Sequence, residues 1–503
     1  MSATVEEASG LRVGEVAYEA VIGIECHVEL KTVTKMFCGC LNEFGAEPNT
    51  LVCPICLGMP GALPVPNRLA IELLVKAGLA FGSDIPSFSK FDRKNYFYPD
   101  MPKNYQISQF DVPLTQGGAV TYWMPDGTQR TCRLTRIHLE EDTGKSLHAG
   151  SADGRIAGST HSLVDFNRAG VPLMECVSEP DIRSAGEAVA YLEALKRTFV
   201  ALGVSDVKME EGSLRCDANV SIRPAGATVL GTKTEIKNMN SFRSVFRAIE
   251  SELARQAGIL ASGGRIVQET RGWDESSGIT ISQRSKEQAH DYRYFPDPDL
   301  TPVEFSPADV ARLRAALGEL PQARIRRYIE GDKLPVASAH QIVDTPGDAE
   351  YYDATVRAGG APPASANFVL GELSRLANET GTPLGESKAS PAALAEVVGL
   401  SETGTINSKV AKDLLARVWS EGGSPAAIVE RESLGQVSDL GAIDALVAAV
   451  VADNEKTAAD YRAGKVKVMG FLVGQVMKRS QGKANPSLAE ERLRAHLDGS
   501  AST

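Results

Sequence analysis

The 503-residue chain has no apolar run that approaches the thickness of a bilayer, so no membrane-spanning helix is expected. It has no surplus of basic residues either. Lys and Arg number 53 against 64 Asp and Glu, a formal net charge of −11. That balance argues against general adhesion to nucleic acid or anionic membrane, and it leaves room for a local basic patch. Cysteines are few, eight in all, and do not make a disulfide scaffold. A reducing cytoplasm is the expected compartment. There is no GxxxxGK[ST] loop, and fragments such as "EDTGKS" (141–146) lack its earlier glycine. Kinase HRD and DFG motifs are missing as well. Any use of ATP must therefore come from a sheet-type site. The opening MSATVEEASG is acidic and small, unlike a signal peptide, and residues 1–17 are expected to form a disordered tail.

What the chain does have is length for two to four domains, with 43% hydrophobic residues to fill their cores. From about 18 to 301 short alternating segments are split by Gly, Pro and Asp turns. Strands are expected near 20–30, 131–140, 162–167, 214–223 and 232–238, with helices near 183–202 and 241–258. Strands without regular βαβ alternation favour an antiparallel α+β domain. After "FPDPDLTP" (295–302) helical periodicity takes over and strand signals vanish. An all-α domain is expected over 302–425, a hinge at "EGGSP" (421–425), and a second helical domain over 426–503.

Two cysteine pairs, "FCGC" (37–40) and "VCPIC" (52–56), place Cys38, Cys40, Cys53 and Cys56 at spacings that suit a tetrahedral thiolate zinc site. Four sulfurs leave no open position, so such a zinc would be structural and would staple the 37–56 loop. The plainer alternative is four free thiols in a turn-rich loop.

In "VIGIECHVELKT" (21–32), Glu25, His27 and Glu29 alternate with Ile24, Cys26 and Val28. Alone, such a strand is more often a solvated edge than a site. Other segments repeat the pattern. Arg136, His138 and Glu140 alternate in "RLTRIHLEEDTGK", with Glu141 and Asp142 following. Glu175 sits among Leu173, Met174, Cys176 and Val177, where a lone carboxylate is costly unless paired or metal-bound. Arg215, Asp217, Asn219 and Ser221 share one face, as do Lys233, Glu235 and Lys237. Side by side, these strands would form a sheet with one face on a core and the other lined with carboxylates, Arg, Lys and Asn. Carboxylate oxygens are hard ligands that suit magnesium, and Arg or Lys neutralises phosphate in transfer. For each basic residue, a structural ion pair is the competing reading.

At these residues the sequence resembles a known family. "GIECHVELKT", "FCGC…VCPICLGMPGALPVPN", "KNYFYPDMPKNYQISQF", "IHLEEDTGK", "VDFNRAGVPLMECVSEPDI", "DANVSIRP", "TEIKNMNSFR" and "HDYRYFPDPDL" are similar to the B subunit of the tRNA-dependent amidotransferase GatCAB, and the likeness runs from about 18 to the C-terminus. The resemblance implies a catalytic domain like that of glutamine synthetase and the guanido kinases, then a helical domain and a YqeY-like tail. It implies that ATP and Mg²⁺ phosphorylate the side-chain carboxylate of Glu-tRNA(Gln) and/or Asp-tRNA(Asn). Ammonia freed from glutamine by a partner amidase subunit then gives Gln-tRNA(Gln) or Asn-tRNA(Asn), and a small third subunit completes the heterotrimer. By the same resemblance Glu25, His27, Glu140 and Glu175 would ligate magnesium, with Glu141 as a further ligand or an ammonia-path residue. Lys103, Arg168, Arg215, Asp217, Asn219, Lys237 and Arg293 would contact ATP or substrate. The segment 461–486 carries six basic residues and no acidic one, which suits contact with tRNA phosphates; a solvated helix with an apolar stripe of Val468, Phe471, Leu472 and Val476 is the alternative.

Two other functions compete. A non-catalytic tRNA-binding adaptor would need no intact carboxylate set. A zinc hydrolase built on Glu25 and His27 would need an open metal position and no ATP. No glutaminase Ser/Lys signature is present, so the nitrogen donor must come from a partner.

Overall fold

The computed structural model describes residues 11–150, 158–285, 292–345, 347–435, 440–480 and 483–499. The chain parts into two compact units, 1–324 and 325–503.

The first unit is built on a ten-stranded sheet. Its strands include β1 (Val16–Glu29), β4 (Gln129–Glu141), β5 (Pro172–Ser178), β6 (Leu214–Pro224), β7 (Thr234–Lys237), β8 (Glu269–Asp274) and β9 (Ile279–Ser285). They lie in the order β9-β8-β7-β6-β1-β5-β4, ending on the short Thr115–Gln116 strand. A separate small sheet pairs β2 (Asp92–Asn95) with β3 (Tyr105–Ser108). The main sheet is antiparallel, as the alternation implied, with one departure: β7 and β8 run parallel. Helix α3 (Phe242–Ala261) lies between β7 and β8 in the chain and allows that crossover.

One face of the sheet is apolar. Ile22, Ile24, Cys26, Val28, Met174, Cys176, Ala218, Val220 and Ile236 are all buried there. Helices α1 (Arg68–Ala80), α2 (Ala185–Ala201) and α3 supply the other half of the core through Leu73, Leu74, Tyr191, Phe199, Val245 and Ile249. Each helix starts at a side-chain cap, which satisfies N–H groups that have no partner within the helix. Asn67 accepts from Leu69 and Ala70, Ser184 from Glu187, and Ser241 from Ser244.

Helix α1 was not expected from the sequence. Its mark was the Asn67 cap followed by Ile71, Leu74, Val75 and Leu79 at helical spacing, hidden behind a Pro- and Gly-rich loop. The β2–β3 pair and β8–β9 were missed as well, because their strands are short or highly polar. Leu11–Val13 also pairs with the start of β1, within the stretch expected to be a tail; residues 1–10 lie outside the described residues. The expected boundary at 301 falls short of the first unit's end. Helix α4 (Pro307–Ala315) packs Leu313 against Val75 and Leu79 of α1.

The second unit is helical throughout its described residues. One apolar cluster runs from Tyr351 to Val429 and another from Ile443 to Leu497. The Pro425–Arg431 helix buries Ile428 and Val429 in the first of them, so the break between clusters falls after the glycines at 422–423. The helical run from Pro362–Phe368 to Ser374–Thr380 is interrupted by a π-turn, Val369–Leu373.

Met174 sits fully buried in the sheet core directly behind Glu175. Met174→Ala is expected to cost about 2–5 kcal/mol by leaving a cavity, read as a lowered denaturant midpoint for the first unit.

Candidate functional site

The opposite face of the sheet is polar because side chains alternate, and antiparallel register places like faces side by side. His27 on β1 lies opposite Glu175 on β5 and Arg215 on β6. Glu175 is opposite His138 on β4. Glu25 is opposite Asp217, and Asn219 is opposite Glu235 on β7. Residues up to 210 positions apart in sequence thus share one surface.

Two groups of potential metal ligands form there, each with its ligand atoms within 4.8 Å of one another. The first is His27, Glu140 and Glu175. His27 Nε2 lies 3.4 Å from Glu140 Oε1 and 3.6 Å from Glu175 Oε2. His138 Nε2 lies 3.3 Å from the same Glu175 oxygen. Glu140 is only 2% exposed, and its Oε2 has no hydrogen-bond partner. A buried carboxylate oxygen left in that state is costly, and a hard cation would satisfy it. Burial works against charge on Glu175 and His27, and their pairing overrides it. His138 and His27 hold Glu175 well below the usual carboxylate range, while Glu175 and Glu140 lift His27 to about 9.

The second group is Glu25, Asp217 and Glu235. Glu25, placed with the first group by the sequence reading, stands here instead. Asn219 Nδ2 donates to Glu25 Oε1 at 3.0 Å. Lys237 bonds Asp217 and lies 3.6 Å from Glu235. Thr270 Oγ1 donates to Glu235 Oε2 at 2.8 Å. Burial raises the Glu25 carboxyl, and Glu175, Asp217 and Glu235 push it further in the same direction. A divalent cation would relieve that repulsion.

The remaining residues named from the sequence are placed as follows. Glu141 points away from both groups, accepts from Ile107 N–H at 3.0 Å and pairs with the buried Lys103. Arg215 and Arg168 both face Asp142, at 2.7 and 3.5 Å. Arg168 also donates to the carbonyls of Thr143 and Gly144. Arg293 is exposed over the Phe97 ring. Burial raises Glu29 to about 7, with Asp142 adding to the effect. His138 and Glu235 were visible in the alternating strands but were not singled out, since alternation alone does not say which strands adjoin.

The four cysteines also come together: Cys38, Cys40, Cys53 and Cys56 lie within 4.8 Å of one another. Cys56 accepts from Cys53 N–H at 3.1 Å. The fully buried Lys35 places Nζ 3.8 Å from Cys56 Sγ and 3.3 Å from the Phe166 carbonyl. The bond from Cys38, the Cys53 N–H and the Lys35 charge lower the Cys56 thiol to about 5 against the effect of burial. Thiolate character of that kind suits a soft-ligand metal site.

Fold and site together define an α+β catalytic domain with a carboxylate-lined sheet, joined to an all-helical unit. The family model described as the GatB/GatE catalytic domain matches residues 20–311, and that described as the GatB domain matches 350–497. The aspartyl/glutamyl-tRNA(Asn/Gln) amidotransferase B subunit of Carboxydothermus hydrogenoformans is 50% identical over 480 residues, covering 95% of this chain and 99% of the relative. The protein of the same name from Moorella thermoacetica is also 50% identical, over 95% and 100% of the two chains. That of Anaeromyxobacter sp. strain K is 51% identical, over 95% and 99%. The chain belongs to the GatB family, the B subunits of the tRNA-dependent amidotransferases.

Lys103 and Glu141 are both under 10% exposed. Lys103→Met is expected to destabilise the protein by about 3–5 kcal/mol by stranding a buried carboxylate. Adding Glu141→Gln should recover most of that loss in a double-mutant denaturation cycle.

Proposed function

We propose that this chain uses ATP to phosphorylate the side-chain carboxylate of Glu-tRNA(Gln) and/or Asp-tRNA(Asn), and that ammonia from a partner amidase then completes the amide. A carboxylate oxygen of the aminoacyl group attacks the γ-phosphorus and ADP leaves. Ammonia attacks the acyl carbon, phosphate leaves, and Gln-tRNA(Gln) or Asn-tRNA(Asn) results. The observation that carries this reading is the unpartnered buried oxygen of Glu140 beside His27 and Glu175.

His27, Glu140 and Glu175 would hold one magnesium ion, and Glu25, Asp217 and Glu235 a second. Bound magnesium supplies positive charge against the phosphoryl oxygens. The protein's own groups do the rest. Asn219 and Lys237 orient Glu25 and Asp217 through hydrogen bonds. His138 fixes the Glu175 carboxylate. Arg168 and Arg215 balance Asp142 at the mouth of the same face. Cys38, Cys40, Cys53 and Cys56 would hold a structural zinc, with Lys35 offsetting part of the negative charge of four thiolates.

The reading requires the amidase and the small third subunit in one heterotrimer with this chain, since the chain has no glutaminase signature. In the 461–486 stretch Lys465 pairs with Asp460 and Arg479 with Asp453. Lys467, Lys478 and Lys483 remain to meet tRNA phosphates. Leu472 and Val476 are buried, while Phe471 is exposed. Among the described residues no helix is long and apolar enough to cross a membrane, in keeping with the cytoplasmic location we infer for the complex.

In the assembled complex, His27→Ala, Glu140→Gln and Glu175→Gln should each lower phosphoryl transfer from ATP to charged tRNA by at least about 100-fold. Glutamine hydrolysis by the partner should persist; retained transfer in all three would refute the assignment. Metal analysis should find one zinc per chain, lost in Cys53→Ser. Zinc retained in that variant would exclude the four-thiolate site.

A further inference from the structure

The cations named from the sequence as phosphate contacts are mostly committed to other work. Lys103 is paired with Glu141, Arg215 and Arg168 with Asp142, and Lys237 with Asp217 and Glu235. Arg136 on the same sheet face directs its Nε to His138 Nδ1. Phosphoryl transfer needs a positive group free to meet developing charge on the γ-phosphate. That group has to stand beside the carboxylate cluster without being neutralised by it.

Lys94 meets this requirement. It is half-buried on β2, and its ammonium has no hydrogen bond or ion pair to any described residue. Its Nζ rests 4.9 Å from the centre of the Tyr292 ring, a contact that stabilises a desolvated ammonium without cancelling its charge. Glu140, Tyr294, Glu175 and Tyr292 all bear on it electrostatically, against the effect of burial.

The setting is densely bonded. Lys94 lies opposite Gln106 on β3. Gln106 Nε2 donates to the Glu141 carbonyl at 2.7 Å, and Tyr96 Oη donates to Gln106 Oε1 at 3.2 Å. Asn95 Nδ2 donates to the carbonyls of Tyr292 and Arg293 at 3.1 and 2.9 Å, which clamps that segment over β2. Tyr96 and Tyr294 meet Tyr292 edge-on, and Phe110 stacks on Tyr294 at 4.3 Å. Arg93 anchors the strand through Asp297 at 2.7 Å. An uncommitted lysine is thus held beside the His27–Glu140–Glu175 group by an aromatic wall.

We propose that Lys94, within its wall of Tyr96, Tyr292 and Tyr294, is the phosphoryl-binding subsite of this catalytic face, where its ammonium contacts the γ-phosphate during transfer to the aminoacyl carboxylate. The proposal rests on the phosphoryl-transfer reading above. It assigns Lys94 to the transferring group and leaves Lys103, Arg215 and Lys237 to hold the protein's own carboxylates.

The test uses the complete heterotrimeric complex with ATP, magnesium and charged tRNA, and follows phosphoryl transfer at saturating ATP. Lys94→Met should lower kcat by about 10²–10³-fold. The melting temperature, the magnesium dependence and the partner's glutamine hydrolysis should stay close to those of the parent. Lys94→Arg should recover at least about tenfold over Lys94→Met, because it restores a cation. If Lys94→Met loses its native melting transition, Lys94→Gln is judged by the same kcat criterion. A methionine or glutamine variant within threefold of the parent in kcat overturns the proposal, as does a loss confined to KM or an arginine variant no better than methionine. His27→Ala separates the two readings: if it is inactive while the Lys94 variants are active, only the lysine assignment falls. If His27→Ala is active as well, the phosphoryl-transfer reading falls with it.

Discussion

The structure depends on antiparallel register across the Val16–Glu29 strand. That strand is paired on both sides, with Pro172–Ser178 and with Leu214–Pro224. Because alternate side chains face opposite ways, one register fixes two surfaces at once. A slip of one residue would turn Ile24, Cys26 and Val28 to the polar side and drive Glu25, His27 and Glu29 into the core. The apolar face under three helices therefore enforces the geometry of the catalytic face.

Gathering so many charges on a desolvated surface raises an electrostatic problem, which the protein meets by local neutralisation. Asp142 receives two arginines, Asp217 a lysine, Glu141 a buried lysine, and Glu175 two histidines. What stays unsatisfied among these carboxylates is one oxygen of Glu140, while Glu25, Asp217 and Glu235, each with a partner, crowd within reach of one cation. A divalent cation would serve both features, the open Glu140 oxygen and the repulsion within the trio. The four-cysteine loop would follow the same logic with softer ligands, and the buried Lys35 places its charge against Cys56.

Much of this was legible in the residues themselves. The alternation around Glu25, His27, Glu140 and Asp217 announced strands with one functional face, and the spacing of Cys38, Cys40, Cys53 and Cys56 announced their convergence. Helical periodicity located most elements beyond residue 302. What could not be read was strand order. Without it Glu25 was grouped with His27, although Asp217 and Glu235 are its neighbours. For Lys103 and Arg215 the sequence left ATP contact and an ion pair both open, and in the fold each meets a buried carboxylate. Lys94 escaped notice because "RKNYFYP" shows neither a clean period of two nor a motif. Its significance arises from what surrounds it in space. Helix Arg68–Ala80 was overlooked for a different reason, since the Pro- and Gly-rich loop before it masked a well-formed Asn67 cap.

The central claim is that His27, Glu140 and Glu175, from three strands far apart in sequence, form one divalent-cation site. Anomalous diffraction from crystals of the complex grown with Mn²⁺ in place of magnesium tests it most directly. The account predicts a manganese peak bounded by His27 Nε2 and the carboxylates of Glu140 and Glu175. Manganese bound only elsewhere, with these three side chains turned away from one another, would contradict it.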